Sequence, residues 1–194
     1  MATVKDFKDS EGNWVYRFYR GDERLFTRCG MLFHALKQRV NPYGKKQQQS
    51  PLYAGCYSSF RDFQDFADWC QDQAGFHEGF HLDKDLLVRG NKEYGKQTCV
   101  FIPQQVNKLL TKRDRDRGPY PIGVTIDHGR FRASCNIGTG VAKYLGGYGT
   151  PTEAFCAYKS FKESYMKTVA EHWKDKIDPR AYNALMSYQV EITD

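Results

Sequence analysis

Four residues able to hydrogen-bond with a nucleic acid, Arg130, Arg132, Ser134 and Asn136, occupy every second position of one segment. The residues between them, Phe131, Ala133 and Cys135, are apolar. Neighbouring side chains in a strand point to opposite faces, so this spacing predicts a sheet with one packed face and one polar, cationic face. Thr125 on the preceding strand is expected to share the polar face, with Lys143 near its edge. Arginine forks onto guanine O6 and N7, and asparagine pairs with adenine, so the chemistry on offer is recognition of double-stranded DNA. Antiparallel sheets commonly expose one polar face to water, and the order of the surrounding elements has to separate the two readings.

A second charged constellation lies upstream. His77, His81, Asp83, Lys84, Asp85, Asn91 and Lys92 fall within 16 residues of one another. Taken alone, the imidazoles read as surface or hydrogen-bonded groups, and the carboxylates as solvated groups or partners of Lys84 and Lys92. The six cysteines, at 29, 56, 70, 99, 135 and 156, never stand at C-x-x-C spacing. That removes support for a zinc knuckle and favours reduced, mostly buried thiols of a cytoplasmic protein.

The elements that must position these residues can be read from periodicity. Asn13–Tyr19 is rich in β-formers, and Phe26, Cys29, Leu32, Phe33 and Leu36 recur at helical spacing over Leu25–Val40. The stretch 45–50 reads as an exposed polar loop. A second helix is expected to start at Ser58 or Ser59, with Phe60, Phe63, Ala67 and Cys70 as its core stripe. Strand, loop, strand and helix follow over 82–110, with Pro103 at the helix start. Alternating charges at 111–119 mark a linker. Beyond it, alternation in Ile122–Ile126, Phe131–Ile137 and Lys143–Gly146 predicts a three-stranded meander. Thr150-Pro151-Thr152-Glu153 opens a helix, Asp178-Pro179 ends it, and Ala181–Leu185 forms a further turn. The fold class is α+β, with domains at 1–110 and 120–194 on either side of the linker.

Composition bounds the partners. The 194-residue chain carries a formal charge of +6, which raises the weight of a polyanionic partner. With 13 Phe and 13 Tyr it has ample material for a core and is expected to fold. Neither a signal-peptide core nor a membrane-length apolar run is found, so no membrane partner and a cytoplasmic location are expected.

The last third resembles the APETALA2 DNA-binding domain. The likeness is carried by Ile122-Gly123-Val124, Gly129-Arg130-Phe131-Arg132-Ala133, Tyr144-Leu145-Gly146 and Thr150-Pro151-Thr152-Glu153-Ala154-Phe155-Cys156-Ala157-Tyr158. It spans roughly residues 119–165 and implies a three-stranded sheet on one helix, set into the major groove. Fewer Arg and Trp residues stand on the reading face than in plant members, so the target site does not carry over.

Leu82-Asp83-Lys84-Asp85, Gly90-Asn91-Lys92, Tyr94, Thr98-Cys99-Val100-Phe101 and Asn107 resemble the ββα unit of phage homing-type HNH endonucleases. The resemblance implies a single Mg²⁺ or Mn²⁺ held by Asp83, an asparagine (Asn91) that orients the general base, and metal-assisted hydrolysis of a phosphodiester. Lys84 stands where the base histidine belongs, and Thr98-Cys99 where a metal-binding asparagine is expected. His81 or His77 as base and Asp85 as replacement ligand are the available repairs. The upstream residues Arg28-Cys29, Tyr53–Cys56 and Phe63–Trp69 look like the leader of such proteins.

Three functions stay open on the sequence: a site-specific homing or nicking endonuclease of bacteriophage type, an HNH-scaffold DNA-binding regulator without catalysis, or an anti-defence protein acting on a host factor. The sequence does not specify an oligomeric state.

Overall fold

The structure, a computed structural model, describes residues 4–111, 119–138 and 140–194. Helices alternate along the chain with several small sheets, a mixed α+β arrangement, and the chain divides into two compact units, Met1–Phe101 and Ile102–Asp194. The charged stretch read as a linker falls, at 112–118, outside the described residues.

The first unit opens with an antiparallel hairpin of β1 (Arg17–Arg20) and β2 (Glu23–Phe26). Its first strand begins later than the β-formers at 13–16 suggest, because Trp14 is drawn into other bonds. Its backbone N–H and indole Nε1 donate to Gln64 and Asp68, both at 2.7 Å. Helix α1 (Arg28–Val40) likewise starts three residues later than its apolar spacing predicts. Leu25 and Phe26 are held by pairing with Phe18 and Arg17, and the Thr27 hydroxyl caps the helix by accepting from the Gly30 N–H. The 45–50 stretch is a short exposed helix, α2 (Lys45–Gln49), rather than a loop.

Helix α3 (Phe63–Gln71) starts at Asp62, not at Ser58 or Ser59. Ser58 is committed to β3 (Tyr57–Ser58), and the Asp62 carboxylate accepts from the Asp65 N–H instead. The apolar face of α3 packs Phe66, Ala67 and Cys70 against Cys29 and Leu36 of α1, with Phe101 in the same core. Asp65, buried beside it, accepts from Lys96 at 2.7 Å and from Arg61 at 3.1 Å. The Lys96 hydrogen bond, with Arg61, holds the Asp65 carboxyl below its usual range, against the opposing effect of burial. A depressed carboxyl pKa contributes stability above the unfolded-state value and loses it as pH falls through the folded one. Acid melts should therefore show a destabilisation below about pH 4 that is reduced in Asp65→Asn. An unchanged acid limb in that variant would refute the assignment.

Strand β4 (His81–Asp83), the first strand of the 82–110 segment, is only three residues long. The chain turns after it because the Asp83 carboxylate accepts from the Asp85 and Leu86 N–H groups, a side-chain substitute for ladder bonds. Strand β5 (Glu93–Tyr94) runs parallel to β3, and β6 (Val100–Ile102) pairs with β4.

In the second unit, α4 (Gln104–Leu110) precedes the meander β7 (Val124–Asp127), β8 (Arg130–Asn136) and β9 (Ala142–Tyr148). Helix α5 (Pro151–Trp173) starts with a complete capping box between Thr150 and Glu153, and α6 (Pro179–Met186) follows Asp178. Val124, Ala133 and Cys135 of the sheet meet Ala154, Phe155 and Tyr158 of α5 in one core. Contact is close at Gly123, where a Cβ would lie 2.1 Å from the Tyr158 ring. Lys162 of α5 is buried and donates to the Leu109 carbonyl at 2.7 Å, satisfying the last turn of α4. Burial lowers its pKa.

All six cysteines are free thiols, and only Cys156 is exposed. Among the described residues no helix is long and apolar enough to cross a membrane.

Candidate nucleic-acid interface

The outer face of the meander is built from strand alternation and register. Phe131, Ala133 and Cys135 lie on the helix side, and Arg130, Arg132, Ser134 and Asn136 on the other. Register adds Thr125 opposite Arg132 and Asp127 opposite Arg130 on β7. On β9 it adds Gly147 opposite Arg132, Tyr144 opposite Ser134 and Ala142 opposite Asn136. Five of the six residues predicted for this face, Thr125, Arg130, Arg132, Ser134 and Asn136, are thus brought together on it.

Lys143 is not. It pairs with the inward-facing Cys135, and its ammonium lies 4.7 Å from the centre of the Phe161 ring on α5. The position that shares the outer face is its neighbour Tyr144, opposite Ser134. A register shift between Ala133 and Ser134 lets β9 carry both Tyr144 and Gly147 on that side, and no composition signal announces such a bulge.

The two guanidinium groups are held in different ways. Arg130 donates from Nη2 to the Gly147 carbonyl at 3.0 Å. The guanidinium of Arg132 sits 4.9 Å from the Tyr144 ring centre, with Nη1 3.8 Å from Asp127 Oδ2. Gly147 keeps the surface low between them: a Cβ there would stand 3.4 Å from the Tyr144 hydroxyl and 3.8 Å from Arg130 Nε. Each arginine is oriented yet leaves donors outward, which limits the entropy lost when a ligand is bound.

The upstream constellation is organised around a lysine. Lys84 is buried, and its ammonium donates to Asp85 Oδ1 at 2.5 Å and to the Asn91 carbonyl at 2.6 Å. The Asn91 side-chain amide donates in turn to the carbonyls of Lys84 and Glu93, at 2.8 and 2.7 Å. Lys84 and Asn91 therefore close the 84–91 loop as a reciprocal bracket. Tyr94 lies beneath, with its ring centre 5.9 Å from the ammonium.

Fit to a divalent ion can be judged from the donors. Oδ1 of Asp83 is occupied by two amide N–H groups, at 2.9 and 2.7 Å, and burial pushes its carboxyl above the usual range. Oδ1 of Asp85 is taken by the Lys84 ammonium. Thr98 is turned to the Glu93 carbonyl, and burial pushes the Cys99 thiol up to about 12, which keeps it a neutral, poor ligand. His81 stands exposed on the same side of β4 as Asp83, and His77 bonds the Gln71 carbonyl. Asn107 lies on α4. Among the described residues no three His, Cys, Asp or Glu side chains converge as a metal site would require. As arranged, these residues do not fit a divalent cation, because an ammonium already holds the carboxylate that would turn toward it.

No known family, curated protein or solved structure matches this chain.

Proposed function

We propose that this is a double-stranded DNA-binding protein that reads its target with the outer face of the β7–β8–β9 sheet. One observation carries the reading: Arg130 and Arg132 project from the middle strand, flanked by Thr125, Ser134, Asn136 and Tyr144, while the alternate residues of that strand are packed on α5. The forked donors of arginine and the amide of asparagine match the acceptors and donors that base edges present in the major groove. The sheet-plus-helix order and the capping box at Thr150 support the APETALA2-type resemblance.

The order β4, β6, α4 and the Asn91 bracket support an HNH-like origin for the central segment. The ammonium of Lys84 favours the regulator over the endonuclease within that origin. A general base must be deprotonated when it meets water, and Lys84 is buried as a hydrogen-bond donor to a carboxylate and a carbonyl.

The test is fluorescence anisotropy on duplex DNA across a salt series, beside a supercoiled-plasmid assay with Mg²⁺ or Mn²⁺. Binding should weaken linearly in log salt, with a slope near −0.9 for each phosphate neutralised, and the plasmid should stay supercoiled. Absence of salt-dependent duplex binding would overturn the assignment. Mn²⁺-dependent nicking abolished by Asp83→Ala would restore the endonuclease.

A further inference from the structure

An anion stands at the edge of the cationic face, where the first hairpin of the meander turns. Asp127 ends β7 directly opposite Arg130. Its Oδ1 lies 2.6 Å from His128 Nδ1, and its Oδ2 lies 3.8 Å from Arg132 Nη1. The turn that follows is as tight as a hairpin allows. His128 and Gly129 both adopt positive φ, 47° and 74°, the geometry of a two-residue turn that matches strand twist. The carboxylate is therefore held at the rim of the face, half exposed, between two arginines that point the same way.

Such a group is costly in a surface that only grips phosphates, because it repels them and cancels part of the attraction of Arg132. It becomes useful where a base offers a proton. In the major groove the exocyclic amino groups of cytosine and adenine are the donors. Adenine N6 sits beside N7, a lone pair that a carboxylate repels, whereas cytosine N4 has only a C–H neighbour. An Asp beside an Arg thus complements a cytosine next to a guanine: guanidinium toward guanine O6 and N7 of one base pair, carboxylate toward cytosine N4 of the neighbouring pair. We infer that Asp127 is a specificity-determining residue that accepts a hydrogen bond from cytosine N4 next to the base read by Arg132. This rests on the DNA-reading sheet proposed above and adds to it the base class recognised at one position.

The experiment is selection of binding sites from a randomised duplex library, run with the full chain and with D127N. The wild type should enrich a site in which one position is cytosine beside a guanine. In D127N that position should move toward adenine, because an asparagine amide pairs with adenine N6 and N7 while the remaining positions keep their preference. Affinity of D127N for random duplex should rise about threefold, from the loss of one repulsive charge. If D127N selects the same cytosine, Asp127 only braces the turn through His128, and the inference is overturned while the reading sheet stands. If the wild type binds no duplex and enriches nothing, both fall. Far-ultraviolet circular dichroism and a thermal melt confirm that D127N is folded, and D127A, which should lose the cytosine preference without gaining adenine, provides a second readout.

Discussion

Replacing Arg130 and Arg132 together by alanine should weaken duplex binding by about 30- to 1000-fold. Each forked contact to a base contributes about 1–3 kcal/mol, and two residues one pleat apart on a strand share neighbours, so their effects will not sum in full. The loss should come without unfolding. Both side chains project from the outer face, and what they contribute internally is one exposed bond to the Gly147 carbonyl, one exposed stack on Tyr144 and one half-exposed contact with Asp127 at 3.8 Å. Removing these costs about 1 kcal/mol or less of stability. Anisotropy and a denaturant melt on the same samples separate the two quantities. The double lysine variant sharpens the result: it keeps the charge but loses the planar fork, so it should retain most affinity for random duplex and lose preference for the selected site. Unchanged affinity in the double alanine variant would show that the sheet face is not the reader.

Lys84→Ala should destabilise the first unit by about 2–3 kcal/mol. The buried ammonium donates to Asp85 and to the Asn91 carbonyl and lies 5.9 Å from the centre of the Tyr94 ring. A hydrogen bond from a charged donor contributes about 1.5–3 kcal/mol, and loss of the buried stem adds a cavity. Asp85 is half exposed, so its stranded carboxylate can be rehydrated, which keeps the loss below that of a fully buried ion pair. Lys84→Met should recover part of it by restoring the stem without the desolvated charge. Urea melts measure all three proteins. Millimolar Mn²⁺ should leave the wild-type melting temperature unchanged, since an ion that binds only the native state would raise it. A Mn²⁺-dependent rise in the wild type, lost in Asp83→Ala, would contradict the assignment of Lys84 as the resident cation of this loop.

The two constellations also differ in how far they could be read before the fold was known. The reading face could be drawn almost completely, because its signals are local. Residues two apart share a strand face, glycine-bearing turns punctuate the meander, and Thr150 and Glu153 meet within one helical turn. Local signals failed only where a distant partner set the orientation. Lys143 faces the helix because β9 aligns it with Cys135 and because Phe161, eighteen residues on, offers its ring. Likewise Ser58 lost the helix start to Asp62 when β5 claimed its backbone.

The segment around Asp83 was legible in letters and not in arrangement. Its resemblance to the HNH unit implies a metal site, and the same residues accommodate a lysine turned inward onto Asp85 and Asn91. Nothing local distinguishes a solvated lysine from a buried one; burial depends on Tyr94 and on the loop folding back seven residues later. Composition and periodicity were enough to specify an α+β chain, a basic character and a sheet with an arginine-bearing side, since these follow from charge count and the two-residue repeat of a strand. Which carboxylates hold a cation, where Lys143 points and how Asp127 sits against Arg132 came from the folded chain alone. Those relations join residues through space, and their energies depend on burial and distance, which residue order does not encode at any single position.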